Sequence, residues 1–236
     1  MDPIFIKANS LPDAWFQCVY NVLAKGKRFR IDRGSYARDW RLEFDYITIQ
    51  ILKPWLRCND GLPLLPEFPE GMDVPAPVTK DYVCQYVPYI MTPEKKPYEQ
   101  YTYGQRLAHI FSLKHGTTNQ IKRVINTYKK HGPRNNQMVL QVADPEDINL
   151  DDPPCLRHID TRIQYGRLHF FPYFRSWDLW GGFPANLAGL SMLQEYMAGE
   201  IGVGQGEMIC ASKGLHLYSY SVDLAKVRCF FKEDLN

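Results

Sequence analysis

The sequence predicts an α/β fold. Three observations carry that expectation: apolar residues recur at helical spacing in some segments and in strict alternation in others, the two kinds of segment are interleaved along the chain, and no internal repeat is visible. The 236 residues suit one large domain, 1–236, because compact domains run to roughly 100–200 residues and α/β domains often exceed that. Apolar residues at 45% and charged residues at 23% permit a buried core and exclude compositional disorder.

Residues 12–25 place Ala14, Trp15, Val19, Val22 and Leu23 at helical spacing, and Gly26 stops the helix. The next segment, 25–41 (KGKRFRIDRGSYARDWR), is dense in Lys and Arg and reads either as a solvated basic loop or as an anion-binding one. In 46–52, Ile47, Ile49 and Ile51 alternate with Thr48 and Gln50, the pattern of a strand with one buried face. Nine of the seventeen prolines fall within 54–97, which predicts an irregular segment holding at most one short helix near 78–90. Residues 100–130 read as helical through Leu107, Ile110, Phe111, Ile121, Val124, Ile125 and Tyr128, with a break near Gly116 and a stop at His131-Gly132-Pro133. A strand is expected at 138–143, and 157–164 with 168–174 form a hairpin across Tyr165-Gly166. Leu187, Leu190, Leu193, Gln194 and Met197 define a helix over 184–200. Residues 202–206 are a helix-to-strand turn rather than a phosphate loop, since no lysine and helix follow them. Two β-rich runs, 207–211 and 215–222, close the chain.

Lys plus Arg exceed Asp plus Glu by only two, 28 against 26, too balanced for a dedicated nucleic-acid binder. Any bound anion is therefore held locally. The first residues show no basic stretch followed by an apolar one, and no run approaches the roughly 20 apolar residues of a membrane span. A soluble, cytoplasmic protein with no membrane partner is expected. The six cysteines (18, 58, 84, 155, 210 and 229) form no CxxC pair, so neither a metal site nor a disulfide framework is indicated.

The stretch richest in chemistry is Asp152-Pro153-Pro154-Cys155-Leu156, followed by Arg175-Ser176-Trp177-Asp178. On its own Cys155 is either an ordinary buried thiol or a reactive one. A reactive thiolate needs a cation nearby, and the 157–174 hairpin returns Arg175 to the edge where Cys155 lies. Arg175 by itself reads as phosphate ligand or surface residue, Asn186 as base reader or helix cap, and His216 with Tyr218 as ligands or half-buried sheet residues.

Five segments recur together in register: Tyr101-Thr102-Tyr103-Gly104-Gln105-Arg106; Pro153-Pro154-Cys155-Leu156; Phe174-Arg175-Ser176-Trp177-Asp178; Pro184-Ala185-Asn186-Leu187-Ala188-Gly189-Leu190 with Leu193-Gln194-Glu195-Tyr196; and Leu215-His216-Leu217-Tyr218-Ser219. In order and spacing, from about residue 100 to 220, they resemble the thymidylate synthases, in particular the shorter archaeal-type branch, and the related pyrimidine nucleotide hydroxymethylases. Residues 1–99 match weakly, at Asp32-Arg33 in the basic segment.

The resemblance implies a large, mixed, twisted sheet with helices over one face and a homodimer formed through the other. It implies one-carbon transfer to C5 of a pyrimidine nucleoside monophosphate, with dUMP to dTMP as the leading reaction and 5,10-methylenetetrahydrofolate, or a related pterin carrier, as cofactor. Cys155 would add to C6 of the ring. Arg175 and Ser176 would bind the phosphate, with Arg175 also keeping Cys155 ionised; Arg33 and Arg134 would be further phosphate ligands, Arg134 as the survivor of an arginine pair supplied by the neighbouring subunit. Asn186 would read N3 and position 4 of the base, Asp178 would orient the ring, His216 and Tyr218 would hold the sugar 3′-hydroxyl, and Tyr103 would assist removal of the C5 proton. Glu67, with Glu70 second, is expected as the glutamate that polarises position 4. No tryptophan lies between residues 56 and 176, and Tyr89 stands where many synthases carry one. This departure favours the alternative of hydroxymethylation by water, on dUMP, dCMP or CMP. A non-catalytic nucleotide- or RNA-binding relative is the second alternative.

Overall fold

The computed structural model describes residues 1–34, 36–68, 71–72, 74–112 and 116–232. Along the chain run β1 (Pro3–Ala8), α1 (Leu11–Lys25), β2 (Lys27–Arg30), β3 (Trp40–Glu43), β4 (Tyr46–Ile51), α2 (Lys80–Met91), α3 (Tyr103–Ala108), β5 (Ile110–Ser112), β6 (Gly116–Thr118), α4 (Gln120–His131), β7 (Val139–Gln141), β8 (Leu156–Gln164), β9 (Arg167–Phe174), β10 (Trp177–Asp178), α5 (Gly182–Ile201), β11 (Gly204–Ser212), β12 (Leu215–Tyr218) and α6 (Ser219–Cys229).

Six strands form a mixed sheet in the order β1-β4-β11-β9-β8-β7. The β1–β4 and β11–β9 pairs are parallel and the others antiparallel. Alternation in β4 and β9 follows from one-sided burial: Ile47, Ile49 and Ile51, like Leu168 and Phe170, are fully buried, while Tyr46, Thr48, Phe171 and Tyr173 stay half-buried on the opposite face. Over the buried face lies α5, packed on β9 and β11 and flanked by α1, α2 and α4. Its Leu187, Ala188, Leu190, Leu193 and Met197 are all buried, so this helix is apolar nearly all round, as a central helix must be. Fully burying each such Leu or Met side chain contributes about 1.5–3 kcal/mol.

A second sheet, β10-β12-β3-β2, lies where the chain leaves β9. Its parallel β10–β12 pair aligns Asp178 with His216, and antiparallel β12–β3 aligns His216 with Glu43 and Tyr218 with Arg41. Paired residues share a face. Asp178, His216 and Tyr218 therefore lie on one side.

The structure corrects the sequence reading at four places. The basic segment 25–41 is not one loop: β2 and β3 pair across it, leaving an exposed connection. β2 is a wholly exposed edge strand whose charges suit a solvated edge, which hid its strand character. The region read as helix over 100–130 divides into α3, the β5–β6 pair and α4, because the α3 cap His109 leaves helical geometry (φ −149°, ψ 65°) and β-rich residues follow. The run 215–222 stops as a strand at Tyr218, and α6 begins, burying Val222, Ala225 and Cys229 at helical spacing. β1, unanticipated, aligns alongside β4 through Ile4, Ile6 and Ala8. The hairpin turn is as expected: Tyr165 (φ 53°) and Gly166 (φ 69°) both take positive φ, the requirement of a two-residue I′ turn.

Candidate active site

The β8–β9 hairpin closes so that the Arg175 backbone N–H donates to the Cys155 carbonyl at 2.8 Å. The Arg175 guanidinium folds back under the Pro153-Pro154 turn: Nε donates to the Pro153 carbonyl at 3.1 Å, and one terminal nitrogen to the Asp152 carboxylate at 3.0 Å. Burial pushes the Cys155 thiol above its ordinary pKa; Arg175 pulls it down, and Asp152 and Asp178 add to the rise. Arg175 thus opposes the effect of burial without overcoming it.

Tyr103 opens α3, where the Thr102 hydroxyl caps the helix by accepting from Gln105 N at 3.0 Å. Its phenol oxygen accepts from the Leu156 backbone N–H at 3.3 Å, and burial raises its pKa. The glycine that follows is required by close approach: a Cβ on Gly104 would lie 2.0 Å from the Thr92 carbonyl oxygen and 2.4 Å from that of Tyr89. That contact seats α3 against the end of α2.

Asp178 caps α5. Its carboxylate accepts from the backbone N–H groups of Trp180 (3.1 Å), Gly181 (3.2 Å) and Gly182 (2.9 Å), which draw its pKa down against the larger, upward effect of burial. One turn on, Asn186 is held at both ends of its amide: Oδ1 accepts from Trp177 Nε1 at 2.9 Å and Nδ2 donates to the Tyr86 hydroxyl at 2.5 Å.

His216 is 1% exposed. Its Nδ1 contacts the Gly214 carbonyl at 2.8 Å. A carbonyl only accepts, so Nδ1 carries the hydrogen. Nε2 then presents a lone pair that meets no partner among the described residues. Burial pushes the His216 pKa down to about 4, keeping the ring neutral. Tyr218 packs edge-on to it at 4.5 Å.

Cys155, Tyr103, Arg175, Asp178, Asn186, His216 and Tyr218 are thus carried by neighbouring ends of β8, β9, β10, β12, α3 and α5, with Ser176 half-buried between Arg175 and Trp177. Arg33 and Arg134 are exposed, on the β2–β3 connection and beyond α4. Glu67 is exposed too; its backbone carbonyl accepts from Arg228, and it lines a separate cavity of about 540 Å³ with Phe68 and Met72. Glu70 lies outside the described residues.

Beside Tyr103 and Asn186 opens a cavity of about 1020 Å³. One wall is the ladder Tyr82, Tyr86 and Tyr89 on α2, with ring centroids 6.0 and 5.7 Å apart; Glu94, Lys95 and Lys96 lie at its rim. Tyr86 was missed in the sequence, although its i, i+4 spacing from Tyr82 was a visible signal. Among the described residues no group of His, Cys, Asp and Glu could hold a metal ion, and no helix is long and apolar enough to cross a membrane.

The family model described as thymidylate synthase matches residues 94–230. Curated archaeal proteins named "Putative thymidylate synthase" align along nearly the whole chain. The one from Methanosarcina barkeri is 28% identical over 221 residues, covering 94% of this chain and 92% of its own. That from Methanothermobacter thermautotrophicus is 28% identical over 219 residues, covering 90% and 92%. That from Methanopyrus kandleri is 22% identical over 219 residues, covering 92% and 93%.

Proposed function

Because the chain belongs to the thymidylate synthase family and is an enzyme of that type, a one-carbon transferase acting at C5 of a pyrimidine, we propose that it converts dUMP to dTMP through a Cys155 adduct. The observation that carries this reading is the juxtaposition of Cys155 and Arg175 at one hairpin edge, with Tyr103 and Asn186 at the adjoining cavity.

C5 of uracil is a poor nucleophile, and covalent addition removes that obstacle. The Cys155 thiolate forms a bond to C6, the C5–C6 π pair moves through C4 onto O4, and C5 becomes the nucleophilic carbon of an enolate. Arg175 and Ser176 hold the phosphate, and the phosphate in turn satisfies the guanidinium. The lone pair of His216 Nε2 accepts from the sugar 3′-hydroxyl beside Tyr218. Asp178 has its acceptors engaged by three N–H groups, so it orients the ring through the α5 backbone it fixes. Tyr103 stands by Cys155 to assist loss of the C5 proton, after which the sulfur leaves and the ring is restored.

The residues present fit a reduced-folate carrier: the Tyr82-Tyr86-Tyr89 ladder offers flat faces to a pterin ring and Lys95 and Lys96 offer cations to an anionic tail. When bound, 5,10-methylenetetrahydrofolate supplies the one-carbon unit and, for methylation, the hydride. A second reading, hydroxymethylation, is favoured by Tyr89 on that wall, where many family members carry tryptophan.

The reading includes a homodimer. Phe5, Tyr46, Ile209, Phe171 and Tyr173 lie on the sheet face that no helix among the described residues covers, an apolar surface that a second copy would bury.

The test is incubation with dUMP, dCMP, UMP or CMP, each with methylenetetrahydrofolate, followed by product mass and by the absorbance of dihydrofolate. dTMP formed together with dihydrofolate supports synthase action. A hydroxymethylated product without dihydrofolate assigns the second reading. Nucleotide binding with no product from any of the four assigns a non-catalytic relative.

A further inference from the structure

We infer that the Tyr86 hydroxyl is a second reader of the base: it and Trp177 lock the Asn186 amide in one orientation, and its own O–H is the donor to the position-4 oxygen of a uracil ring. The inference deepens the reading above and rests on it for the identity of the bound base.

Trp177 fixes the first contact of the Asn186 amide. An indole N–H donates and never accepts, so the amide atom 2.9 Å from Trp177 Nε1 is oxygen, and the orientation of Asn186 is fixed without reference to any ligand. Nδ2 then faces Tyr86 at 2.5 Å and donates to its oxygen. Because that phenol accepts here, its single hydrogen must go elsewhere, and among the described residues no acceptor takes it. Tyr86 and Asn186 line the same cavity, together with Tyr103.

Together the clamped groups keep three hydrogen-bonding positions for a ligand. Asn186 has a second N–H and a second lone pair on Oδ1, and Tyr86 has its O–H. Uracil matches this set: N3–H donates to Oδ1, while the two lone pairs of O4 accept from Nδ2 and from Tyr86. Cytosine does not. Its N3 would face a carbonyl oxygen and its 4-amino group would face two donors, and turning the amide over would oppose its NH2 to the Trp177 N–H. A site built to pair one pattern rejects the opposite one because buried donors are left unpaired.

The fold brings Tyr86 this close by a specific device. A Cβ on Gly189 of α5 would lie 2.5 Å from Ile90 Cδ1 and 3.0 Å from a ring carbon of Tyr86, so the glycine lets α2 settle onto α5 at this point without displacing either side chain. The Tyr82 and Tyr89 rings stack on either side of the Tyr86 ring, with centroids 6.0 and 5.7 Å away.

A catalytic consequence follows. When the Cys155 sulfur bonds to C6, negative charge develops on O4, and a donor already aimed there interacts more strongly with the enolate than with the neutral carbonyl. Tyr86 therefore acts on kcat as well as on binding, the part otherwise assigned to a glutamate; Glu67 lines a different cavity.

The experiment compares wild type with Tyr86→Phe, which keeps the ring ladder and removes only the hydroxyl, by calorimetric binding of dUMP and of dCMP and by kcat and KM for each. The expected result is wild-type preference for dUMP, with kcat/KM for dUMP falling on the order of 10- to 100-fold in the variant, mostly in kcat, while dCMP binding is unchanged or tighter. Trp177→Phe, which frees the amide, should narrow the dUMP-to-dCMP affinity ratio in the same direction. Wild type that turns over dUMP, beside a Tyr86→Phe protein with unaltered discrimination and kcat, overturns this inference and leaves the functional reading standing. Wild type that binds neither nucleotide overturns both.

Discussion

At Cys155, the proposed catalysis and the packing pull in opposite directions. Burial raises the thiol pKa, whereas covalent addition needs the thiolate, so the ligand-free protein should react slowly with iodoacetamide at neutral pH and faster as pH rises, with a midpoint above the roughly 8.5 of a free cysteine. Arg175→Ala should move that midpoint further up and weaken nucleotide monophosphate binding by about 1.5–3 kcal/mol, the cost of a charge-assisted contact. Equal affinity of the wild type for a nucleoside and its monophosphate would remove Arg175 from the phosphate site. Cys155→Ala should abolish turnover and still bind nucleotide, since binding rests on other side chains; near-normal activity in that variant excludes the adduct. His216 gives a prediction of opposite sign. Its folded pKa of about 4 lies below the roughly 6.5 of an unfolded histidine, so the unfolded chain takes up the proton first, and stability present above pH 6.5 is lost as pH falls toward 4. That loss, on the order of 3 kcal/mol, should be absent from the difference in Tm between those pH values in His216→Gln.

At the scale of elements, two glycines control how α2, α3 and α5 meet. Gly104 and Gly189 each leave space in which a methyl group would strike a neighbour, backbone carbonyls in the first case and the Ile90 and Tyr86 side chains in the second. Gly104→Ala must move the backbone of α3 or α2 and should cost roughly 1–3 kcal/mol or more in urea unfolding, with turnover falling further than stability because Tyr103 moves with the helix. An unaltered unfolding midpoint would show that the interface has slack. The β8–β9 hairpin is the other positioning element: the turn at Tyr165-Gly166 starts the pairing, and a bulge between Leu156 and His158 shifts it by one residue, so that Arg175 rather than Ser176 meets Cys155.

For the whole molecule, the asymmetry of the six-stranded sheet matters most. One face is sealed by α1, α4 and α5, and the other carries half-exposed aromatic and aliphatic side chains. The wild type is expected to sediment as a dimer at micromolar concentration, and Ile209→Lys should shift it to monomer while leaving the far-UV spectrum intact. A monomeric wild type would contradict the homodimer.

Much of this protein is set by local pattern. The Ile47-Ile49-Ile51 alternation, the Tyr165-Gly166 turn and the apolar positions of α5 each depend on residues a few positions apart, and each element stands where its own residues place it. The order of the motifs about Cys155, Arg175 and Asn186 likewise identifies the family, because covalent chemistry restricts which side chains serve. Tertiary structure alone decided what depends on distant approach. Tyr86 meets Asn186 across 100 residues of chain because a glycine on a different helix admits it, and His216 is neutral because the strands and helices around it exclude water. β2 became a strand because β3 was there to pair with, and the 219–222 stretch turned helical because its buried positions met α1 rather than a sheet edge. Local propensity decides an element when its neighbours agree with it; at an edge, at a helix crossing or in a buried polar site, the free energy comes from partners that the local sequence does not contain.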